Sequence, residues 1–292
     1  MIQFLQLVVS GIAVGCVLAL IAVGFTLIYK ATETVNFAQG DLMMLGGFAA
    51  YTAVVLFGLP FWFGAIATLV AMALFGAGLD RVVLRRVLGQ PQFAVVMLTV
   101  GIGFMLRGLA SMVPGWGTET YTIKTPYSGE VLRAGGLALS GEYLMVIVMT
   151  ILLCSALYAY FRFTRIGVAM QAASQNQLAA YYMGIPVARV NTLVWAISAA
   201  VAGFAALLLA PITFVHTNMG FIGLKAFPAA VIGGFGSVPG AIAGGLIIGV
   251  VEALAGFYLP EGFKDIAAYI VVLVVLMVRP HGLFGGAGRK KV

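Results

Sequence analysis

Apolar residues run along this chain in long blocks separated by short polar breaks. The blocks cover 5–29, 42–57, 61–79, 93–112, 143–161, 192–209, 221–236, 238–257 and 266–278. A helix needs about 20 mainly apolar residues to cross a hydrocarbon layer ~30 Å thick, and most blocks approach that length. The block at 221–236 is broken by Pro228, Gly233, Gly234 and Gly236. The chain has eight spans if this block is re-entrant and nine if it crosses, and the alternation of sides favours crossing. The expected fold is an all-α polytopic membrane protein with interrupted segments, forming one transmembrane domain over 1–292. The longest polar stretch, 113–142, is rich in Gly, Thr and Ser and reads as an external loop with little regular structure. A second polar stretch, 162–190, lies between the two apolar halves.

Composition agrees with this pattern. The chain is 62% hydrophobic and 9% charged, where soluble domains carry about 25% charged residues. Its 38 glycines suit helices that must approach closely in lipid. The net charge of +7 is explained by basic loops held in the cytoplasm rather than by nucleic acid. Lys30, Arg81, Arg85, Arg86, Arg162, Arg165, Arg189, Arg279, Arg289, Lys290 and Lys291 fall on one side of the predicted topology. Lys124, Arg133 and Lys264 fall on the other, and Arg107 and Lys225 are unassigned. The positive-inside rule then places 162–190 and the C-terminus in the cytoplasm and the N-terminus outside. The first apolar run lacks a basic leader and is too long for a signal-peptide core, so it counts as a span. Cys16 and Cys154 lie in apolar spans and are expected to be inert buried thiols.

The stretch 162–190 is the only long run that is both cationic and helix-like. The spacing predicts one helix over about 167–183, ended by Gly184 at the left-handed C′ position and by Pro186. Ala172, Ala179, Ala180 and Met183 fall near one face at helical spacing. That face suits a groove on another protein, or alternatively the lipid headgroup layer.

Two polar interruptions stand out within the apolar blocks. One is NFAQGDLMMLGG, ending at Gly46-Gly47, and the other is LKAFPAAVIGGFG, containing Gly233-Gly234. They follow spans running in opposite directions, which suggests an inverted repeat. Interrupted segments at matching places in two halves point to a transport pathway. Asn36 and Asp41 sit in the first interruption, either lining a path or capping the helix that follows. Phe227, Gly233 and Gly234 sit in the second, with Phe227 facing either a path or the core. Glu252 is the one carboxylate deep in a late span, where charge is costly. It is functional or else paired structurally with Arg107, Lys225 or a partner chain. His216 and His281 are too few for a metal site. No Walker A motif is present, so any ATP that drives this protein binds a separate subunit.

The same residues carry a family resemblance. Leu178-Ala179-Ala180, three residues, then Gly184 resembles the Glu-Ala-Ala-x-x-x-Gly loop of ABC-importer permeases, with Leu178 in place of Glu. AASQNQLAAYYMGIPVARV, TLIYKATETVNFAQGDLMMLGG, GLKAFPAAVIGGFGSVPGAIAGGLIIGVVE and RPHGLFG together resemble branched-chain amino-acid permeases of the LivH type. The resemblance implies the helical bundle shared with ribose-type and vitamin-type importers, in the bacterial inner membrane. It also implies a coupling helix in which Asn176, Ala179, Ala180, Met183 and Gly184 receive the ATPase stroke; Asn176 stands where this subfamily often has an acid. Asn36, Asp41, Phe227, Gly233, Gly234 and Glu252 are the candidate path residues. The implied partners are a second homologous permease, two cytoplasmic ATPase subunits that bind ATP and Mg2+, an extracytoplasmic substrate-binding protein and membrane lipid. No cofactor is expected in this chain. The substrate expectation is branched-chain or other hydrophobic amino acids. Urea or short amides are the alternative, as is an ion-coupled secondary transporter using Glu252 or Asp41. A passive channel would leave the cytoplasmic helix without a role.

Overall fold

A computed structural model describes residues 2–87, 90–117, 119–134 and 137–285. Arg289, Lys290, Lys291 and the side chain of Arg133, which enter the charge tally above, lie outside the described residues. The chain is helical almost throughout. In order it forms α1 (Ile2–Thr32), α2 (Gln39–Tyr51), α3 (Phe61–Val82), α4 (Gln92–Met112), α5 (Gly141–Phe163), α6 (Arg165–Gln175) and α7 (Gln177–Tyr182). Then follow α8 (Val187–Thr213), α9 (Met219–Leu224), α10 (Ala226–Gly233), α11 (Val238–Tyr258) and α12 (Phe263–Val278). A π-helical turn, Thr52–Leu56, prolongs α2. Seven of these segments are long and apolar enough to cross a membrane on their own.

The remaining apolar segments are α12, of 16 residues, and the broken pair Met219–Gly233. The ends of the broken pair lie at opposite sides. Just before α9, Val215 pairs with Tyr121 of the 113–140 connection through N–H···O bonds of 2.8 and 2.9 Å. At the far end, Leu283 and Phe284 donate to the carbonyls of Ile232 and Gly233 at 2.7 and 3.2 Å. Gln6 at the start of α1 bonds Ala138 of the same connection, whereas Phe235 after α10 meets Tyr29 near the end of α1, so the broken segment runs from one end of the bundle to the other, as the nine-span reading requires. Its helical part is shorter than a bilayer core, and non-helical flanks extend it at both ends, with Val215 and Gly234 buried in protein.

Helix α1 is apolar on all sides and buried almost continuously from Gly11 to Ile28, as befits the central element of a bundle. Helix α8 is the second central element, and it continues through Pro211 to Thr213. The most extensive helix contact joins α1 to α11. A Cβ on Gly11 would lie 2.9 Å from the Val250 Cα, and one on Gly15 would lie 2.9 Å from the Gly245 carbonyl oxygen. The outer faces of α3, α4, α5 and α12 carry exposed large apolar residues such as Leu74, Phe104, Ile151 and Met277, as expected beside lipid or a partner chain.

Two local expectations change. The 113–142 stretch holds an antiparallel hairpin, β1 (Val131–Ala134) with β2 (Leu137–Ser140), and Tyr121 adds the bridge to Val215. It is thus more ordered than its composition suggests. The helix expected over 167–183 is two helices, α6 and α7, because Asn176 is extended (φ −157°, ψ 105°) and starts a new helix.

Bulk at the α1–α11 contact tests this packing. Gly249→Leu should lower the thermal unfolding midpoint of the detergent-purified protein, since overpacking a tight contact costs about 1–3 kcal/mol. Gly101→Leu, with open space around it, should leave the midpoint unchanged.

Candidate functional site

The two interruptions meet inside the bundle. After α1 the chain turns at Glu33, whose φ is +55°, and re-enters through 34–38. A backbone that leaves helical geometry inside a membrane must find partners within the protein. Here the Phe37 N–H donates to Thr99 Oγ1 of α4 at 3.1 Å, and the Ala38 N–H donates to Asn36 Oδ1 at 3.0 Å. Asn36 Nδ2 donates to Gln39 Oε1 at 3.2 Å. Ser198 Oγ of α8 lies 3.1 Å from the same Gln39 oxygen and 3.0 Å from the Gly24 carbonyl. Asn36, Gln39 and Ser198 are all buried. This network ties the first interruption to α1, α4 and α8.

The second interruption packs directly on the first. The Phe227 ring lies 5.4 Å from Phe37, 5.9 Å from Phe25 and 5.6 Å from Phe235. Gly40 of α2 meets the backbone of α9 at Gly220 and Gly223: a side chain on Gly40 would collide with the Gly220 carbonyl, and one on Gly223 with the Gly40 main chain. Asp41, one residue on, does not cap α2: that helix has no side-chain cap, and Asn36 provides the local turn. Asp41 instead pairs with Arg107 of α4. Arg107 Nη2 and Nε donate to Asp41 Oδ1 at 2.7 and 3.2 Å. The guanidinium also lies over the Phe221 ring, 4.2 Å from its centroid, close enough for cation–π attraction. Arg107 had no assigned side in the sequence. The signal that finds it is an ionisable group inside an apolar span, which demands a partner of opposite charge.

Glu252 pairs with neither basic candidate. Arg107 is taken by Asp41, and Lys225 forms an ion pair with Asp265 at the start of α12. Glu252 is 4% exposed, and its Oε1 has no hydrogen-bond partner among the described residues. Gly233 is a contact residue: a Cβ there would collide with Gly240 of α11. Gly234 takes φ +88° and packs on His281 and Gly285. It also borders a cavity of about 290 Å³ shared with Tyr29 and Phe235. Among the described residues, no three His, Cys, Asp or Glu side chains group as metal ligands would.

The α6–α7 hairpin is built from two caps. Thr164 Oγ1 accepts from the Gly167 N–H at 3.2 Å to start α6, and Asn176 Oδ1 accepts from Leu178 and Ala179 at 3.0 Å each to start α7. Gly184 ends α7 at φ +82°, with Gly184 and Ile185 donating to Tyr181 and Ala180 carbonyls at 3.0 Å each. This is the left-handed termination expected from the sequence. The face named from the sequence is divided between solvent and protein. Ala180 is 4% exposed, whereas Leu178, Tyr181, Tyr182 and Met183 project, Met183 at 82%. Ala179 is exposed and Ala172 half-buried. Gln177 Nε2 donates to the Ala31 carbonyl at 2.8 Å, which joins α7 to the last turn of α1, immediately before the first interruption. Beneath this joint lies a cavity of about 360 Å³ bordered by Glu33, Asp80, Gln92, Leu178 and Trp195.

Sequence comparison bears on this arrangement as a whole. The family model for the branched-chain amino acid transport system permease component matches residues 7–278. The chain belongs to this permease family. It is 30% identical to the LivH high-affinity branched-chain amino acid transport permease of Escherichia coli K12, over 100% of this chain and 98% of that protein. It is also 30% identical to BraD of Pseudomonas aeruginosa, over 99% and 98%. The probable LivH permease of Methanocaldococcus jannaschii is 28% identical, over 92% and 88%. Among solved structures, PsaBC from Streptococcus pneumoniae in complex with Fab matches 96% of this chain with TM-score 0.50 and 15% identity. That likeness concerns the fold alone. The chain is therefore a multi-pass membrane permease, and its interruptions and hairpin belong to a branched-chain amino acid transport family.

The cap at Asn176 gives a direct test of the hairpin. Asn176→Ala removes the acceptor for two N–H groups, a loss of about 1 kcal/mol. Amide exchange at Leu178 and Ala179 should then accelerate about fivefold, while exchange in α8 stays unchanged.

Proposed function

We propose that this chain is the membrane-spanning permease subunit of an ABC importer for branched-chain or related hydrophobic amino acids in a bacterial inner membrane. The N-terminus lies outside and the C-terminus in the cytoplasm. An extracytoplasmic binding protein delivers the substrate, a second similar permease completes the path, and two cytoplasmic ATPase subunits bind ATP and Mg2+. The observation that carries this reading is the α6–α7 hairpin. It presents an exposed apolar tip at the positively flanked end of the bundle and is bonded to the chain just before the first interruption.

The mechanism follows from that connection. An ATPase groove closes on Leu178, Ala179, Tyr181, Tyr182 and Met183. Movement of α7 is transmitted by Gln177 to the carbonyl of Ala31 and so to the re-entering segment. That segment shares Phe37–Phe227 and Gly40–Gly220 contacts with the second interruption, so the two move as a unit. Asn176 and Gly184 keep α7 a short rigid rod, and buried Ala180 fixes its orientation. A packed core is bistable rather than continuously deformable, so a small displacement becomes a change of accessible side.

Purified assembly in proteoliposomes tests the reading. Tyr181→Glu combined with Met183→Glu should reduce amino acids imported per ATP hydrolysed at least about tenfold, as expected when a buried apolar contact is replaced by charge. Undiminished coupling would overturn the role of α7. Gradient-driven leucine uptake by the isolated chain would instead establish an ion-coupled transporter. Uptake of urea but not leucine by the full assembly would reassign the substrate.

A further inference from the structure

The Asp41–Arg107 pair is more than a staple between α2 and α4. Its charges are only half used. Both guanidinium contacts fall on Asp41 Oδ1 from Nε and Nη2. Among the described residues Arg107 Nη1 donates to nothing and Asp41 Oδ2 accepts nothing. The pair also lies in a gap made for it. Gly103 and Gly220 flank the carboxylate, and a Cβ on Gly220 would stand 2.5 Å from Oδ1. The Arg107 side chain is 19% exposed and lies between Phe104 and Phe221, both exposed. A charged pair on a span face turned toward hydrocarbon is expensive, so such a face is covered by protein or lines water. An unused cation donor on that face, an unused anion acceptor set just behind it on Asp41, whose side chain is 7% exposed, and two aromatic rings match one ligand class: a zwitterion with an apolar side chain.

We infer that Asp41 and Arg107 recognise the two charged ends of the transported amino acid, on a face completed by the second permease. The free Nη1 of Arg107 receives the α-carboxylate and Oδ2 of Asp41 receives the α-ammonium. Phe104 and Phe221 flank the apolar side chain. The four charges alternate in sign, so the ligand enters without stranding either protein charge. A neutral urea or amide has no need of such a pair. This inference rests on the proposed import function and names the specificity-determining residues within it.

A charge swap separates recognition from stapling. ATP-driven leucine uptake is measured in proteoliposomes of the full assembly containing wild-type chain, Arg107→Gln, or Asp41→Arg together with Arg107→Asp. Arg107→Gln should lower uptake about tenfold or more, as expected for loss of a charge-assisted contact. A swap that melts like the wild type has re-formed the pair, yet it should remain as impaired as Arg107→Gln, because the charges now face the wrong ends of the ligand. Uptake by the swap within about twofold of wild type would overturn recognition and leave a staple. If the swap unfolds, Arg107→Lys decides. One ammonium must then serve both Asp41 and the substrate, so the KM for leucine should rise about tenfold; an unchanged KM overturns the inference. Wild-type assembly that fails to import leucine would overturn the proposed function itself, and this inference with it.

Discussion

A bilayer offers no hydrogen bonds to a backbone that leaves the helix, and this protein leaves it twice within the membrane. That constraint organises the bundle. The first interruption is supplied by Thr99, Asn36, Gln39 and Ser198, which come from α4, the interruption itself and α8. The second is supplied at its two ends, where Val215 exchanges bonds with Tyr121 and the carbonyls of Ile232 and Gly233 accept from Leu283 and Phe284. Helix α1 packs on α2 and α10, and α8 packs on α2, so the central pair borders both interruptions. The Asp41–Arg107 pair follows the same logic for charge: each ion is tolerable inside the span only because the other is beside it.

Glycine makes the arrangement sterically possible. Gly40 lets α2 and α9 touch backbone to backbone, Gly103 and Gly220 leave room for the Asp41 carboxylate, and Gly11 and Gly15 bring α1 onto α11. In lipid, helices gain little from excluding water, so contact distance and packing decide which helices associate. The outer faces of α3, α4, α5 and α12 lack such contacts and keep large apolar side chains exposed.

The α6–α7 hairpin attaches to this core at the end of α1. Its rigidity comes from caps at Thr164 and Asn176 and from the left-handed Gly184. Its attachment comes from Gln177, which reaches the end of α1 just where the first interruption begins. The hairpin is thus joined to the bundle just where the backbone leaves α1.

The sequence by itself determined the helical spans, the two interruptions, the Gly184 stop and the family resemblance, because long apolar blocks and local Gly and Pro signals act over a few residues. It also marked Asn36, Asp41 and Glu252 as polar groups needing an explanation. Only the tertiary structure decided how each was satisfied. Partner choice depends on residues far apart in the chain: Asp41 finds Arg107 rather than capping α2, Lys225 finds Asp265, and Glu252 finds neither base. The same holds for the hairpin. Helical spacing placed Ala179 and Ala180 on one face, but a single extended residue, Asn176, reset the helix, and packing against the bundle turned Ala180 inward. Periodicity fixes which residues share a face; which face meets the protein is set by neighbours that periodicity does not see.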